Sequence, residues 1–306
     1  MSERSARVPG PFGALGTRAG PLAVRFAPGL GGKVTSLRLG PAGREWLAQP
    51  ARPLRTPAPG QDWGELDCSG WDECLPNTGA APEQGLADHG DVWRLPWQGS
   101  SGPARLSGSV AHRDYRFSRE ITTDGPRLRA DYTLRNQGGR PLRWAWTQHL
   151  LLAADQRTRI VTSSPVRFRL DSAFRHGRPS RGFGWLCPED VPVTEISLER
   201  AAGRAAKLWF VPPLPAAIAV VRGAEWLAWD VAHSSYPHLG LWVNLGGWGG
   251  TPLRQLALEP SFGCADAPAE AYRELTPLGP GEQHSWHTAI EAGVSPISRN
   301  TELFMN

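Results

Sequence analysis

Lysine, paired cysteine motifs and long apolar runs are nearly absent from this 306-residue sequence. Lysine occurs only at Lys33 and Lys207, so arginine supplies nearly all of the 33 basic residues, which are scattered without a run of five like charges. A nucleic-acid-binding protein concentrates basic side chains in a stripe that neutralises phosphates. The net charge of +4 therefore does not indicate a nucleic-acid partner.

The four cysteines form no C-x-x-C pair and have no paired histidines nearby, which argues against a structural zinc site. Residues 1–20 carry charge, glycine and proline where a secretory signal would have an apolar segment. The longest later apolar run, 216–221, is far shorter than the roughly 20 residues that cross a bilayer. We expect a cytoplasmic protein that uses no metal and no membrane partner.

The residues that are present predict strands. Alternation of apolar and polar side chains is the signature of strands with one face on a core. It is found at three places: Leu128 to Leu134, Tyr115 to Phe117, and Val166 to Leu170. The 35 glycines and 29 prolines mark turns between such segments, for example Asp124-Gly125-Pro126. The fold class expected is all-β, a large antiparallel β-sandwich with very little helix.

Only residues 267–275 read as helical, with Asp266 as the expected cap and Pro268 in the first turn. The proline-rich stretch 50–60 could be a linker, but a loop across the rim of a sandwich is the better interpretation. We therefore expect residues 1–306 to form a single domain.

Three places could carry chemistry. The segment 70–97 breaks the alternation and combines Asp72, Glu73, His89 and Arg94 with tryptophans in a glycine- and proline-rich setting. That mixture is typical of a concave polar site, although a surface loop pinned by its tryptophans would look the same. His149 ends a strand-like segment and shares a face with small side chains, and Glu259 lies opposite a leucine face just before Pro260. A core histidine and an edge glutamate are the alternatives for these two.

In order along the chain, a glycine-rich early strand (31–37), Asp88-His89-Gly90, a strand histidine at 149 and Glu259-Pro260 resemble the galactose mutarotase-like proteins, which include aldose 1-epimerases and hexose-6-phosphate 1-epimerases. The resemblance spans roughly residues 22–292. It implies a sandwich with a sugar in a groove on one sheet and interconversion of α and β anomers through the open-chain aldehyde. It also implies that Glu259 is the general base, His149 the acid at the ring oxygen and His89 a hydrogen-bond partner of the ring oxygen or its neighbour, with no cofactor.

Substrate-binding roles are expected for Asp72, Glu73 and Arg94 in the loop, for Trp242, and for Asp230 as an acidic partner of sugar hydroxyls. Trp71, Trp93 and Trp97 could present apolar faces to the sugar. The partner is expected to be a small-molecule sugar, and the protein a monomer or homodimer. Alternatives are a non-catalytic carbohydrate-binding protein, a hexose-6-phosphate 1-epimerase, or a glycoside hydrolase that pairs Asp72 or Glu73 with Glu259.

Overall fold

The computed structural model describes residues 11–39, 43–58, 60–249 and 253–294, and in these ranges it contains two large antiparallel sheets packed as a sandwich. The first sheet has, in spatial order, β1 (Leu15–Ala19), β2 (Leu22–Ala27), β3 (Lys33–Leu39), β4 (Trp71–Cys74), β9 (Thr147–Ala153), β18 (Arg254–Ser261), β17 (His238–Leu245), β14 (Arg204–Phe210), β11 (Phe168–Arg175) and β12 (Arg178–Pro179). The second has β13 (Val193–Ser197), β10 (Arg159–Val166), β15 (Ala217–Arg222), β16 (Glu225–Asp230), β19 (Gln283–Val294), β8 (Arg127–Asn136), β7 (Tyr115–Asp124), β6 (Arg105–Ala111) and β5 (Gln98–Gly102). The predicted all-β sandwich is confirmed.

The alternating segments bury the side chains that the pattern predicts. In β8 every second residue is buried: the apolar Leu128, Ala130, Tyr132 and Leu134, followed by Asn136 at the end of the strand. Asp124 pairs with Arg127 across the Gly125-Pro126 turn, and Gly125 has the positive φ of 54° that this tight connection requires. The inner faces of both sheets supply one continuous hydrophobic core.

The third alternating segment is not one strand. Strand β10 ends at Val166 in the second sheet, and β11 begins at Phe168 in the first. Val166 and Phe168 both lie in the core between the sheets. The apolar and polar side chains keep alternating where the chain passes from one sheet to the other, because the inner faces of both sheets point at the same core. The sequence pattern alone therefore does not reveal the change of sheet.

The expected helix is shorter than predicted. An α-helix, α1, spans Pro268–Ala271 and passes into a 3₁₀ turn at Tyr272–Glu274. Pro268 occupies the first turn as expected, but the cap is Ala267, because the Asp266 carboxylate forms an ion pair with Lys207 instead. Other described 3₁₀ turns span Pro11–Gly13, Trp63–Glu65 and Pro82–Gln84.

Part of the segment expected to be a loop is a strand. Strand β4 lies inside the first sheet beside β9, and all four of its residues are buried. Both of its faces are covered, which removes the alternation that identifies a half-exposed strand. No helix in the described ranges is long and apolar enough to cross a membrane.

Candidate functional site

A cavity of about 210 Å³ lies on the face of the first sheet that points away from the core. This volume is below the roughly 300–1,000 Å³ of drug-sized pockets, so the cavity suits a small ligand. Its lining residues are Trp63, Thr78, Gly79, Asp88, His89, His149, Ser172, Phe174, Lys207, Trp242, Trp248, Gln255, Glu259 and Asp266.

Sheet register brings His149 and Glu259 together. On β9 and β18, Leu151 is opposite Ala257 and Thr147 is opposite Ser261, which places His149 opposite Glu259 between those two pairs. The side chains of β18 point to the sides of the sheet that the sequence predicts, since Leu256 and Leu258 enter the core while Glu259 lines the cavity. The strand pairing continues past Pro260, because Ser261 still pairs with His238 on one side and with Thr147 on the other.

The three residues proposed for chemistry meet around this cavity. His149 Nε2 lies 3.9 Å from Glu259 Oε1, and the rings of His149 and His89 are edge to face with centroids 4.8 Å apart. Glu259 Oε1 and His149 Nδ1 are buried polar atoms without a hydrogen-bond partner. Buried polar groups are nearly always paired, so these two atoms are candidates for contact with a ligand.

Glu259 is fully buried between positive and negative neighbours. Its Oε2 accepts a hydrogen bond from Lys207 Nζ, which also lies 3.1 Å from Asp266 Oδ1. Burial raises the pKa of Glu259; Lys207 opposes this increase and Asp266 adds to it, and the net direction is upward. One carboxylate oxygen is therefore anchored while the other stays free.

His149 is also buried, and its pKa lies well below the usual value. The largest cause is desolvation, and electrostatic interactions with His89, Lys207 and Lys33 lower the pKa further. The imidazole is therefore neutral near pH 7, with one nitrogen able to donate a hydrogen bond and the other able to accept one.

The backbone and a tryptophan hold His89 in place. His89 has a positive φ of 59°, and its backbone N–H donates to Thr78 O. Its ring stacks on Trp63 with centroids 4.4 Å apart, and Trp63 Nε1 in turn donates to Asp72 Oδ2 at 3.1 Å. The rigid support fixes His89 beside His149, a requirement for a group that must act at one atom.

Aromatic side chains form much of the remaining wall. Trp63, Trp242, Trp248 and Phe174 all line the cavity, and the rings of Trp242 and Trp248 meet edge to face at 5.9 Å. Apolar ring faces beside carboxylates and imidazoles suit a ligand that has both C–H surfaces and hydroxyl groups.

Solved structures share this architecture. A galactose mutarotase-like protein from Lactobacillus casei superimposes with a TM-score of 0.67 at 13% identity, over 92% of this chain and 100% of that one. A candidate aldose 1-epimerase from Escherichia coli K12 gives 0.65 at 14% identity, over 92% and 99%. The corresponding values for a galactose mutarotase related enzyme from Lactobacillus acidophilus are 0.65 and 10%, over 92% and 98%.

The chain has the galactose mutarotase-like fold. Neither a protein-family model nor a curated protein sequence matches it significantly. Similarity at 10–14% identity establishes the shared fold, and any activity has to be argued from the residues of the cavity.

On this mutarotase-like fold, two of the residues expected to bind substrate support other residues instead. Asp72 lies beneath Trp63, where its Oδ2 accepts hydrogen bonds from Trp63 and, at 2.7 Å, from Lys33 Nζ. Glu73 points the other way, into the core, and pairs with Arg119 at 2.8 Å. Neighbouring residues of a strand face opposite sides of the sheet, so at most one of this pair could have reached the cavity.

Arg94 and Asp230 also lie outside the cavity lining. The Arg94 guanidinium lies 4.9 Å from the ring centroid of Trp93. Asp230 ends β16 in the second sheet and contacts His233 Nδ1 at 2.9 Å. Of the expected substrate-binding residues, Trp242 alone lines the cavity.

The three loop tryptophans are packing residues that do not line the cavity. Trp71 and Trp97 belong to the main core, and Trp93 belongs to a smaller buried cluster. The indole N–H of each has a partner within the protein: Glu73 for Trp71, Asp88 O for Trp93 and Val92 O for Trp97.

Sequence reasoning missed Lys207, Asp266 and Trp63. Lys207 was detectable, because it is one of two lysines in the chain and all its neighbours in β14 after Arg204 are apolar. Asp266 reads as a helix cap, and Trp63, which begins a 3₁₀ turn, lies in a stretch of sequence without a local pattern. Tertiary contacts alone show their place in the site.

Proposed function

We propose that the protein is an aldose 1-epimerase that interconverts the anomers of a sugar by opening its ring. The observation that carries the proposal is the free Glu259 Oε1, which faces His149 Nε2 at 3.9 Å with His89 beside it. The fold, the small cavity and its aromatic walls support it.

In this proposal Glu259 takes the proton from the anomeric hydroxyl. The C1–O1 bond becomes a carbonyl, the C1–O5 bond breaks, and O5 receives a proton from an imidazole. Such acid and base assistance is typically worth about 10²–10⁴-fold each. After rotation about the C1–C2 bond, the imidazole takes its proton back from O5 as O5 attacks the other face of C1. Glu259 returns its proton to O1, so both groups regain their starting protonation states.

In this proposal His149 and His89 together act as the general acid that protonates O5. Because the lowered pKa keeps His149 neutral, few molecules carry its extra proton near pH 7, but a charged His149 would release that proton readily. His89 lies next to it, with its Nδ1 3.0 Å from Asp88 Oδ2. We propose that the two rings together hold and deliver the proton to O5.

Anomer exchange of free hexoses, followed by polarimetry and exchange NMR, tests this function. The variant Glu259→Gln keeps the shape of the side chain and removes the base, so we expect the accelerated exchange to fall by about 10²-fold or more. Glu195→Gln is the matched control, because Glu195 lies on the exposed face of β13 in the second sheet, where it pairs with Arg159. Full activity in Glu259→Gln, with the control unchanged, would refute the assignment.

A carbohydrate-binding protein without turnover is the second candidate. The contact of Lys207 with Glu259 favours it, because an ion pair weakens a carboxylate as a base. Hexose binding without accelerated exchange in the wild type would support it. The glycoside hydrolase alternative paired Glu259 with Asp72 or Glu73, and that pairing is not formed, since neither Asp72 nor Glu73 lines the cavity.

A further inference from the structure

The resemblance assigns no role to Lys207, yet this side chain is in direct contact with the proposed base, Glu259. Its Nζ donates to Glu259 Oε2, lies 3.1 Å from Asp266 Oδ1 and sits 5.1 Å from the ring centroid of Trp209. The side chain is almost completely buried. A lysine at such a position is held by its neighbours on several sides and has little freedom to contact the bulk solvent.

The sheet is built to allow this contact. Lys207 on β14 and Glu259 on β18 are separated by β17, where Gly240 is paired with Glu259. A Cβ at position 240 would lie 3.2 Å from Glu259 Oε2 and 3.3 Å from Lys207 Cε. The absence of a side chain at Gly240 therefore leaves the space through which the two charges meet.

We propose that Lys207 is a positioning residue that keeps Glu259 ionised and turns its free oxygen toward His149 and the cavity. This inference rests on the proposed function, since it explains how a fully buried carboxylate can serve as a base. Desolvation favours the neutral acid, and a neutral acid cannot accept the proton of the anomeric hydroxyl. An adjacent ammonium offsets that desolvation.

Asp266 has the opposite effect on Glu259. It competes for the same ammonium and repels the Glu259 carboxylate, so it raises the pKa of Glu259 where Lys207 lowers it. The groups that face or electrostatically affect Glu259 are His149 on β9, Lys207 on β14, Cys74 on β4, Asp266 before α1, and His89 in its loop. Lys207 and Asp266 can be changed separately, and they predict shifts of opposite sign.

The test is the pH dependence of kcat/KM for hexose anomer exchange in Lys207→Met and Asp266→Asn. Removing an opposite charge in direct contact should move the acid limb of Lys207→Met to higher pH by at least about one unit. Asp266→Asn should move it to lower pH. Loss of folding stability alone would reduce activity in both variants without opposite shifts, and thermal unfolding of each variant measures that loss directly.

A second readout does not require turnover. The side-chain carboxyl ¹³C resonance of Glu259, assigned by its disappearance in Glu259→Gln, can be titrated in the wild type and both variants. Opposite displacements of its titration midpoint support the proposal even if the wild type proves to have no epimerase activity. Unchanged midpoints, or shifts of the same sign in both variants, overturn it even if the wild type is an active epimerase.

Discussion

The buried ion pair between Arg119 and Glu73 allows a prediction about stability. It tests whether Glu73 is a structural carboxylate of the core, in contrast to Glu259 in the cavity. Arg119 on β7 donates to Glu73 Oε1 at 2.8 Å, and it lies 5.0–5.3 Å from the ring centroids of Phe26, Trp71 and Trp97. Both side chains are 1% exposed. The perturbation is Arg119→Met, which keeps an unbranched apolar side chain and removes the charge.

The stability that Arg119→Met is expected to lose depends on pH, because Glu73 titrates. Burial raises the pKa of Glu73 from 4.5 to about 6, against the opposing effects of Arg119 and of the indole N–H groups of Trp146 and Trp71. A carboxyl whose folded-state pKa is raised stabilises the fold below its unfolded pKa, and this contribution is lost as the pH rises through the folded value. In the wild type the shift corresponds to about 2 kcal/mol, lost between about pH 4.5 and 6.

Without Arg119 the pKa of Glu73 rises further, so the free energy of unfolding continues to decrease up to a higher pH. At pH 8 an unpaired buried carboxylate should lower the free energy of unfolding by about 3–5 kcal/mol relative to the wild type. At pH 5, where Glu73 is mostly protonated, the loss should be distinctly smaller. The double variant Arg119→Met with Glu73→Gln should recover much of the stability at pH 8, since it buries no charge.

Urea unfolding at both pH values, with the slope m compared between variants, measures this effect. Arg116→Met is the matched control on the same strand, because Arg116 is exposed, and a surface change should stay within about 0.5 kcal/mol. A loss below about 1 kcal/mol at pH 8 with unchanged m, or the same loss at pH 5 and pH 8, would refute the reasoning.

Two further predictions concern the substrate and a tight loop. The cavity is lined by three carboxylates and by one ammonium, that of Lys207, which is already paired with Glu259 and Asp266. A phosphate group would therefore meet no free cation among the described residues of the lining, and kcat/KM for a hexose 6-phosphate should be at least about 10-fold below that for the free hexose. Equal values would contradict this. In Gly90→Ala the new Cβ would lie 2.2 Å from Leu75 O, whereas in Gly85→Ala it would contact nothing within 4 Å at a similar φ. Thermal unfolding should show the larger loss for Gly90→Ala, beyond the about 1–3 kcal/mol of backbone strain, and equal losses would show that the loop moves aside.

The sequence alone determined the fold class and the facing of individual strands. Period-two alternation placed Leu128 to Leu134 in the core, and the same register argument placed His149 and Glu259 opposite their bulky neighbours. Such predictions succeed because the facing of a side chain along a strand depends only on local backbone geometry. The resemblance supplied the galactose mutarotase-like fold, which the structural comparisons confirm.

Only the tertiary structure decided which polar residues share the cavity. Asp72 and Glu73 look alike in the sequence, yet one supports Trp63 and the other anchors Arg119 in the core. Lys207 and Asp266, 59 positions apart in the numbering, meet at Glu259 because β14, β17 and β18 are neighbours in the sheet. Strand order is a long-range property of the folded chain, and no local spacing encodes which distant charges will neutralise each other.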